Sequence, residues 1–391
     1  MSKIKQKAPK LRFPEFTDDW EQSKLGDVGN TYTGLSGKTA DDFGHGEANF
    51  ITYMNVYSNN IADPTMVSPI EIDEKQHEVE VGDVFFTTSS ETPDEVGMSC
   101  VLKEKQGIVY LNSFCFGFRP TKSFDLNFLA YMLRSNYVRN QIKILAQGVS
   151  RYNISKTKMM DISIIFPDYE EQKKIGEYFS NLDNLITIHQ RKCDELKEFK
   201  KGMFQKMFPK KGETIPEIRF PGFTDAWEQR KLANVVDSVD TGKSKFDKEG
   251  SSGEYPILGS TSVIGYDEEY DYEGDFILTA RVGANAGSLY RHAGKVKISD
   301  NTVFIQASQN IEFLYQLLIQ FDIKKLSFGT GQPLVKASEL KSLELMMPTD
   351  MKEQMQIGAY FSELDNLIAL HQRKVDEYKE LKKGLLQQMF I

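Results

Sequence analysis

The sequence predicts an α+β protein: two mixed α/β domains with small twisted sheets, joined by two long antiparallel coiled-coil helices related by a pseudo-twofold axis. Two internal repeats predict this architecture. Residues 171–208 and 353–390 match at 26 of 38 positions without a gap, at an offset of 182. Residues 9–28 and 216–235 share 13 of 20 positions, at an offset of 207.

The segments between the repeats are not copies of each other. We call them the first insert (residues 29–170) and the second insert (residues 236–352). Because the two offsets differ, the inserts differ in length as well as in sequence. A constant frame around two divergent inserts indicates one scaffold that presents two different binding surfaces to a target with two halves.

The repeated 38-residue segments are predicted to be long amphipathic helices. Apolar positions recur in steps of four and three over more than four heptads, which is typical of a coiled coil. At about 1.5 Å per residue, each helix would be about 57 Å long. The predicted coiled-coil seam is Ile175, Phe179, Leu182, Ile186, His189, Cys193 and Leu196 in the first helix, and Ile357, Phe361, Leu364, Ile368, His371, Val375 and Tyr378 in the second.

Two helices with the same seam can pair with each other. Antiparallel pairing about an axis near the helix centres predicts that His189 faces Val375 and that His371 faces Cys193. Both histidines are interpreted as core residues that fix the helix register, and no metal site is predicted.

Each insert is predicted to be a mixed α/β domain with a common plan. Short apolar, β-branched or aromatic runs indicate strands, and longer periodic runs indicate helices. In the first insert we predict strands at 50–57, 83–88, 107–118 and 161–166 and a helix at 126–145. In the second we predict strands at 255–258, 275–279, 296–305 and 342–346 and a helix at 311–321.

The predicted domain limits follow the repeats. The first mixed α/β domain covers residues 1–167 and the first helix covers 168–210. The second mixed α/β domain covers 211–348 and the second helix covers 349–391.

Charge gives a mixed indication. The net charge of −8 does not favour a protein that binds nucleic acid alone, because phosphate contacts need Lys and Arg. However, residues 126–160 and 276–299 contain no Asp or Glu and several Lys and Arg. One such stretch in each insert favours a polyanionic target.

The candidate DNA-binding residues are short hydroxyls, amides and basic side chains, which hydrogen-bond to base edges and phosphates. They lie in loops that hold equivalent places in the two inserts. They are Thr88, Ser89, Ser90, Arg151, Tyr152, Lys156 and Lys158 in the first insert, and Arg281, Asn285, Arg291, Thr330, Gln332 and Lys336 in the second.

No catalytic residue is predicted. The chain has no two consecutive prolines, so it cannot contain the Pro-Pro motif of amino-methyltransferases that use S-adenosylmethionine. Its histidines show no metal-binding spacing, and its three cysteines are interpreted as free thiols in a reducing cytoplasm. Neither a signal peptide nor a membrane-spanning run of apolar residues is predicted.

The sequence resembles the specificity subunits of Type I restriction–modification systems over essentially its whole length. The resemblance rests on the duplicated helices, on E-Q-x-x-I-G-x-Y-F at 171–179 and 353–361, and on L-D-N-L-I followed by H-Q-R-K. It also rests on the K-K-G endings at 200–202 and 382–384. Two segments of the second insert match the family as well: YPILGSTSVIGY at 255–266 and GDFILTARVGANAG at 274–287.

The resemblance implies a function. Each insert would be a target recognition domain that reads one half of a bipartite site in double-stranded DNA, and the paired helices would fix the gap between the half-sites. Two modification (methyltransferase) subunits would dock on the chain, and restriction (motor–nuclease) subunits would join for cleavage. S-adenosylmethionine, ATP and magnesium would belong to those partners, with no cofactor bound by this chain. The alternatives are a coiled-coil adaptor that binds proteins only and a methyltransferase with a fused recognition domain.

Overall fold

The chain forms two compact units in the computed structural model. The structure describes residues 8–245, 252–327 and 333–391. Unit 1 ends at His189 and also includes Lys374–Ile391, and unit 2 is Gln190–Arg373. No helix among the described residues is long and apolar enough to cross a membrane. Each unit therefore contains one insert and part of both long helices.

Among its described residues, unit 1 contains small sheets and five α-helices of its own, the last of which continues into unit 2, and it also holds the end of the last helix of the chain. Its strands are β1 (Glu21–Lys24), β2 (Gly29–Thr33), β3 (Phe43–Ile51), β4 (Val67–Ile70), β5 (Val84–Thr87), β6 (Ser89–Ser90), β7 (Ser99–Val101), β8 (Val109–Leu111), β9 (Cys115–Pro120), β10 (Tyr152–Asn153) and β11 (Ser163–Phe166). Its helices are α1 (Tyr53–Ser58), α2 (Leu126–Leu133), α3 (Asn136–Leu145), α4 (Lys156–Met160) and α5 (Tyr169–Met207).

Unit 2 contains one larger sheet, and its last helix returns into unit 1. Its strands are β12 (Glu228–Lys231), β13 (Ser238–Thr241), β14 (Tyr255–Leu258), β15 (Val263–Asp267), β16 (Tyr272–Ala280), β17 (Leu289–Ile298), β18 (Thr302–Gln306) and β19 (Glu344–Met347). Its helices are α6 (Ile311–Phe321), α7 (Ala337–Lys341) and α8 (Met351–Met389).

The two inserts share one strand order. The second forms a six-stranded sheet in the order β13-β18-β16-β17-β14-β15. The first forms the order β2-β9-β5-β7 and, separately, β8-β3-β4. Each insert has one parallel strand pair at the same place in this order: β3 with β8 in the first insert, and β14 with β17 in the second. The single long strand β17 therefore corresponds to β7 and β8 together, which are interrupted in unit 1. The inserts are one fold, as their common plan predicts.

The first of the two repeats closes each insert onto its long helix. Strand β1 pairs antiparallel with β11, and β12 pairs antiparallel with β19 in the same way. Just before these strands, Trp20 and Trp227 are buried and contact the rings of Phe128 and Phe313 edge-on. The repeated residues 9–28 and 216–235 are thus a structural frame rather than part of the reading surface.

A buried ion pair fixes the start of each long helix. The guanidinium of Arg12 donates two hydrogen bonds of 2.7 Å to Glu171, whose side chain is fully buried. Arg219 donates to Glu353 at 2.6 and 2.7 Å in the equivalent place. A buried carboxylate needs this pairing because its charged form would otherwise be strongly disfavoured. The repeated Glu is therefore explained by the join between frame and helix.

Two glycines in the same motif let each helix approach its insert closely. A Cβ on Gly176 would lie 2.7 Å from the backbone N of Phe128. A Cβ on Gly358 would lie 2.5 Å from the backbone N of Phe313. Neither position accepts a side chain without moving backbone, so the conserved spacing of Glu, Gln and Gly in the repeat is a packing requirement.

Within unit 1 the two long helices run antiparallel. The ring of Phe179 lies 5.8 Å from that of Phe390, and Asp183 accepts a 2.5 Å hydrogen bond from Lys382. Further along, the ring of His189 lies 5.7 Å from that of Tyr378. Residue numbers rise along one helix as they fall along the other, which is the predicted pairing direction.

Unit 2 repeats the arrangement. The rings of Phe204 and Phe361 stack at 4.2 Å, and Lys200 donates a 2.6 Å hydrogen bond to Asp365. The Sγ of Cys193 lies 3.7 Å from the amide oxygen of Gln372. Every predicted seam residue is buried or half-buried. The predicted pairs are His189 with Val375 and Cys193 with His371. The contact of His189 described above is with Tyr378, three residues from Val375, and that of Cys193 is with Gln372, next to His371.

Four predicted elements differ from the structure, two because of helix capping and two because of turns. Residues 53–57 of the predicted strand 50–57 belong to α1, because Thr52 accepts a hydrogen bond from Asn55 and caps a helix. The predicted helix 126–145 breaks into α2 and α3 at Ser135, which caps α3. The predicted strands 107–118 and 296–305 are each two strands, separated by turns.

We expect Arg12→Ala and Arg219→Ala each to lower the free energy of unfolding by about 3–5 kcal/mol, because each leaves a buried carboxylate unpaired. Chemical denaturation followed by circular dichroism measures this. The matched control is Lys24→Ala, which breaks an exposed pair with Asp161 and should change the free energy of unfolding far less. Equal losses in all three variants would contradict the role given to the buried pairs.

Candidate nucleic-acid interface

Two predicted contact segments of the first insert lie side by side. Strands β6 and β10 pair antiparallel, with Ser90 opposite Tyr152 and Ser89 opposite Asn153. The backbone N of Ile154 also donates to the carbonyl of Thr88 at 3.0 Å. The loop after β5 and the loop after Gly148 therefore form a single surface, although about sixty residues separate them in sequence.

An open cleft of about 790 Å³ lies beside this pairing. Tyr53, Tyr57, Glu91 and Arg151 are among the residues that line it. The two tyrosine rings stack at 6.0 Å, and Tyr57 donates a 2.7 Å hydrogen bond to Glu95. The cleft thus combines flat aromatic faces, a carboxylate and an exposed guanidinium, which are the groups that contact bases and phosphates.

The predicted hydroxyls are less accessible than the basic side chains. Ser89 and Ser90 are 7% and 9% exposed, and the Ser90 hydroxyl donates to Glu95. The hydroxyl of Thr88 donates a 2.9 Å hydrogen bond to the carbonyl of Phe114. These side chains shape the loop, whereas Arg151 is exposed at its edge.

Helix α4 carries two more predicted contacts. Lys158 is exposed and Lys156 half-buried, on the short helix that follows β10. Tyr152 is half-buried, and its ring packs against the core of unit 1. The predicted residues of the first insert thus fall into a buried group that shapes the loop and a group at its surface: Arg151, Lys156 and Lys158.

The basic stretch 126–160 is partly structural, contrary to its sequence interpretation. Arg139 is buried and donates to the carbonyls of Gly97, Val96 and Asp94 at 2.7–3.0 Å. Burial lowers the pKa of Arg139 to about 10. Its guanidinium holds the backbone of residues 94–97, in the segment after β6, and is too buried to bind a polyanion.

Arg134, at the end of α2, has the same role. It donates to the carbonyls of Val56, Tyr57 and Asn59, at the end of α1, and to that of Ser99 in β7. Burial lowers the pKa of Arg134 to about 10. The two arginines therefore anchor both walls of the cleft.

The second insert places its predicted loop in the same position. Arg281 and Asn285 are exposed in the loop after β16, which corresponds to β5. Val282 pairs antiparallel with Leu334, and the backbone N of Val335 donates to the carbonyl of Arg281 at 2.8 Å. The loop after the central strand again meets the closing segment, with arginine and asparagine where the first insert has hydroxyls.

The remaining predicted residues of the second insert divide three ways. Lys336 is exposed at the start of α7 and lies 3.4 Å from Glu339. Arg291 on β17 forms an ion pair with Glu312 and lies 4.7 Å above the ring of Tyr315, so its charge is already matched within the unit. Thr330 and Gln332 lie outside the described residues.

Sequence reasoning missed the aromatic side of the first cleft. Tyr53 and Tyr57 fall in the segment predicted as a strand, where they would share a face but lie about 13 Å apart, too far for their rings to stack. Their separation of four residues, directly after a Thr that can cap a helix, is the signal that could have found them. Among the described residues, no group of His, Cys, Asp or Glu is arranged to hold a metal ion.

Comparison with known proteins decides the family. Residues 17–198 and 224–380 match the model of the Type I restriction modification DNA specificity domain. The chain belongs to this family. It carries the domain twice, so the predicted resemblance is confirmed. The two matched stretches each contain an insert and most of the helix that follows it.

Individual relatives agree with this assignment. The putative type I restriction enzyme MjaX specificity subunit of Methanocaldococcus jannaschii is 23% identical over 406 residues, covering 96% of this chain and 94% of that protein. The MjaVIII specificity subunit of the same organism is 26% identical, covering 66% of this chain and 67% of that protein. The crystal structure of the Type-I restriction-modification system S subunit from M. genitalium has the same fold, with a TM-score of 0.65, 15% identity and coverage of 98% and 99%.

We expect Arg139→Leu to lower the free energy of unfolding by about 3 kcal/mol, because it leaves three carbonyls without their donor. Arg151→Ala is the control. It removes an exposed arginine from the same cleft and should change stability by no more than about 0.5 kcal/mol. Denaturant unfolding of both variants checks this, and an equal effect of the two would contradict the anchoring role.

Proposed function

We propose that this chain is the non-catalytic DNA-recognition subunit of a Type I restriction–modification complex, and that each insert reads one half of an asymmetric bipartite site. One observation carries the proposal. The inserts share a strand order but carry different side chains where the central strand meets the closing segment. A common fold with divergent chemistry at one place fits two readers of different sequences on one scaffold.

The readers are proposed to act through a few exposed residues. In the first insert they are Arg151, Lys156 and Lys158, beside the tyrosine-lined cleft. In the second they are Arg281, Asn285 and Lys336. An arginine can bond a guanine or a phosphate, and an asparagine can bond an adenine, so the two sets favour different half-sites.

The partners follow from what the chain lacks. We propose that two modification subunits supply the methyltransferase and part of the grip on DNA, since the net charge of this chain is −8. Restriction subunits would add the motor and nuclease. S-adenosylmethionine, ATP and magnesium are assigned to these partners. The cytoplasm is the proposed location, supported by three buried cysteines that form no disulfide.

Exchange of one insert tests the bipartite reading. Residues 29–166 are replaced by the corresponding segment of another family member, and genomic methylation is mapped in cells that also contain the modification subunit. We expect one half of the methylated sequence to change and the other half and the spacer to stay. The reciprocal exchange of residues 236–348 is the matched control and should change only the other half.

Methylation mapping and two binding measurements separate the alternatives. A protein-only adaptor would leave methylation unchanged and would give no salt-dependent shift of DNA in the assembled complex. A methyltransferase with a fused recognition domain would bind S-adenosylmethionine as an isolated chain, which isothermal titration would detect. Either result would contradict the proposal.

The long helices are proposed to set the distance between the half-sites, whose centres would lie about one DNA turn, about 34–36 Å, apart. Four residues inserted after His189 and four after Arg373 lengthen both helices by about 6 Å, and DNA advances about 3.4 Å per base pair. We expect a spacer one or two base pairs longer. Four residues inserted after Gly212, which follows α5, should leave the spacer unchanged. An unchanged spacer in the first variant would refute the ruler.

A further inference from the structure

The cleft of the first insert holds two carboxylates, although the proposed function places it against DNA. Glu91 and Glu95 both line the cleft, together with Arg151. DNA phosphates repel a carboxylate, so a carboxylate in such a cleft needs a hydrogen-bond donor, either within the fold or on a base. Glu95 has donors within the fold, because it accepts from three hydroxyls at 2.7, 2.9 and 3.2 Å. Its carboxylate is therefore bonded by the cleft itself.

Glu91 has no donor of this kind. It is exposed, and among the described residues no hydrogen bond or ion pair reaches its carboxylate. The guanidinium of Arg151 is also exposed, and within the described part of the chain it donates to no other group. The fold therefore leaves a strong acceptor and a set of strong donors available in one cleft.

Strand pairing places these two side chains next to each other. Glu91 directly follows β6, and Arg151 directly precedes β10. The last residue of β6, Ser90, pairs with the first residue of β10, Tyr152. Glu91 and Arg151 are thus the next residues at the open end of this pairing, where both line the cleft.

We propose that Glu91 and Arg151 together read one G·C base pair in the half-site of the first insert. Glu91 accepts a hydrogen bond from the N4 amino group of cytosine, and Arg151 donates to O6 and N7 of the paired guanine. The inference rests on the proposed function and names a base pair that the first half-site must contain. In the major groove a G·C pair presents two adjacent acceptors and, beside them, one donor. An arginine next to a glutamate is the complement of that edge.

Other groups of DNA fit this arrangement less well. The edge of an A·T pair alternates acceptor, donor and acceptor, so it has no two adjacent acceptors for the fork of Arg151. A phosphate would accept from Arg151 but would be repelled by Glu91. The G·C edge is therefore the target that uses both side chains.

The carboxylate belongs to the difference between the two inserts. In the second insert, residues 276–299 contain no Asp or Glu. There the exposed Arg281 is accompanied by the exposed Asn285. Glu91 is thus part of what distinguishes the first reader from the second and is not part of their common plan.

The first test is the base composition of one half-site. Methylation mapping in cells that contain the modification subunit gives the whole site, and exchange of residues 29–166 shows which half the first insert reads. We expect a G·C pair in that half, at which replacement by A·T weakens binding of the full chain with the modification subunit by about 5- to 150-fold. A first half-site made only of A·T pairs would overturn the inference and leave the proposed function intact.

Changes of single groups in the DNA then test the two contacts without altering the protein. At the G·C pair, N4-methylcytosine places a methyl group where Glu91 would accept, and 7-deazaguanine removes one acceptor of Arg151. Each should weaken binding of the wild-type complex about tenfold. Glu91→Ala should become insensitive to N4-methylcytosine but not to 7-deazaguanine, and Arg151→Ala should show the reverse. Inosine in place of guanine changes only the minor-groove edge and is the matched control, which should bind as guanine does.

Binding to DNA that lacks the site separates base reading from a structural role. Loss of Glu91 removes a repulsion of phosphate, so Glu91→Ala should bind such DNA about twofold more tightly while it discriminates less between base pairs. Glu104→Ala is the control variant. It removes an exposed carboxylate that lines a different cavity of the same insert, and its discrimination should equal that of the wild type.

Three results of the binding measurements would overturn the inference. If Glu91→Ala keeps the discrimination of the wild type at every base pair, the carboxylate reads no base. If Arg151→Ala loses affinity equally for all sequences, with a smaller salt dependence, the guanidinium contacts phosphate instead. Both of these outcomes leave the proposed function standing. A wild-type complex that binds all DNA sequences equally would overturn the proposed function together with the inference.

Discussion

The join between each insert and its long helix is the constraint on which the rest of the structure depends. At this join a buried carboxylate, Glu171 or Glu353, is bonded at both oxygens by an arginine of the frame. Within two turns, Gly176 or Gly358 brings the helix against the backbone of α2 or α6. An insert on a flexible tether could not hold a fixed distance, so the proposed role of the long helices in setting the spacer requires a rigid join at each insert.

A second layer of polar contacts connects the helix seam to the insert in each unit. Asp183 accepts hydrogen bonds from Lys382 across the seam and from the hydroxyl of Tyr131 in α2. Burial, and then the neighbouring carboxylate, raise the pKa of Tyr131 above its usual range, so it remains a donor. In unit 2, Asp365 accepts from Lys200 and from the amide of Gln316 in α6. One carboxylate thus couples helix pairing to insert position at each end.

Sequence reasoning performed best where the chain repeats itself. The long helices, their direction and the common plan of the inserts could be read from periodicity and offset. It failed where a residue's partner is distant in sequence: Arg134 and Arg139 count as positive charge, but their carbonyl partners at 56–59 and 94–99 lie elsewhere in the chain. Arg291 fails similarly, because Glu312 meets it only through the packing of α6 on β17. Composition cannot distinguish a charged side chain that is bonded within the fold from one that is exposed and can bind a ligand.

Only a few residues of each insert are needed for its contact with the frame and the long helix, which explains why the inserts can diverge. Phe128 and Phe313 are each the third residue of their helix and pack on the buried tryptophan, and Tyr131 and Gln316 are each the sixth. The sixth position holds a phenol in the first insert and an amide in the second, yet Tyr131 donates to Asp183 and Gln316 donates to the equivalent Asp365. An insert therefore needs one aromatic residue, one hydrogen-bond donor and one closing strand to fit the frame. The loops at the far end of the sheet are free of these demands, so selection for a new DNA sequence can alter them without weakening the scaffold.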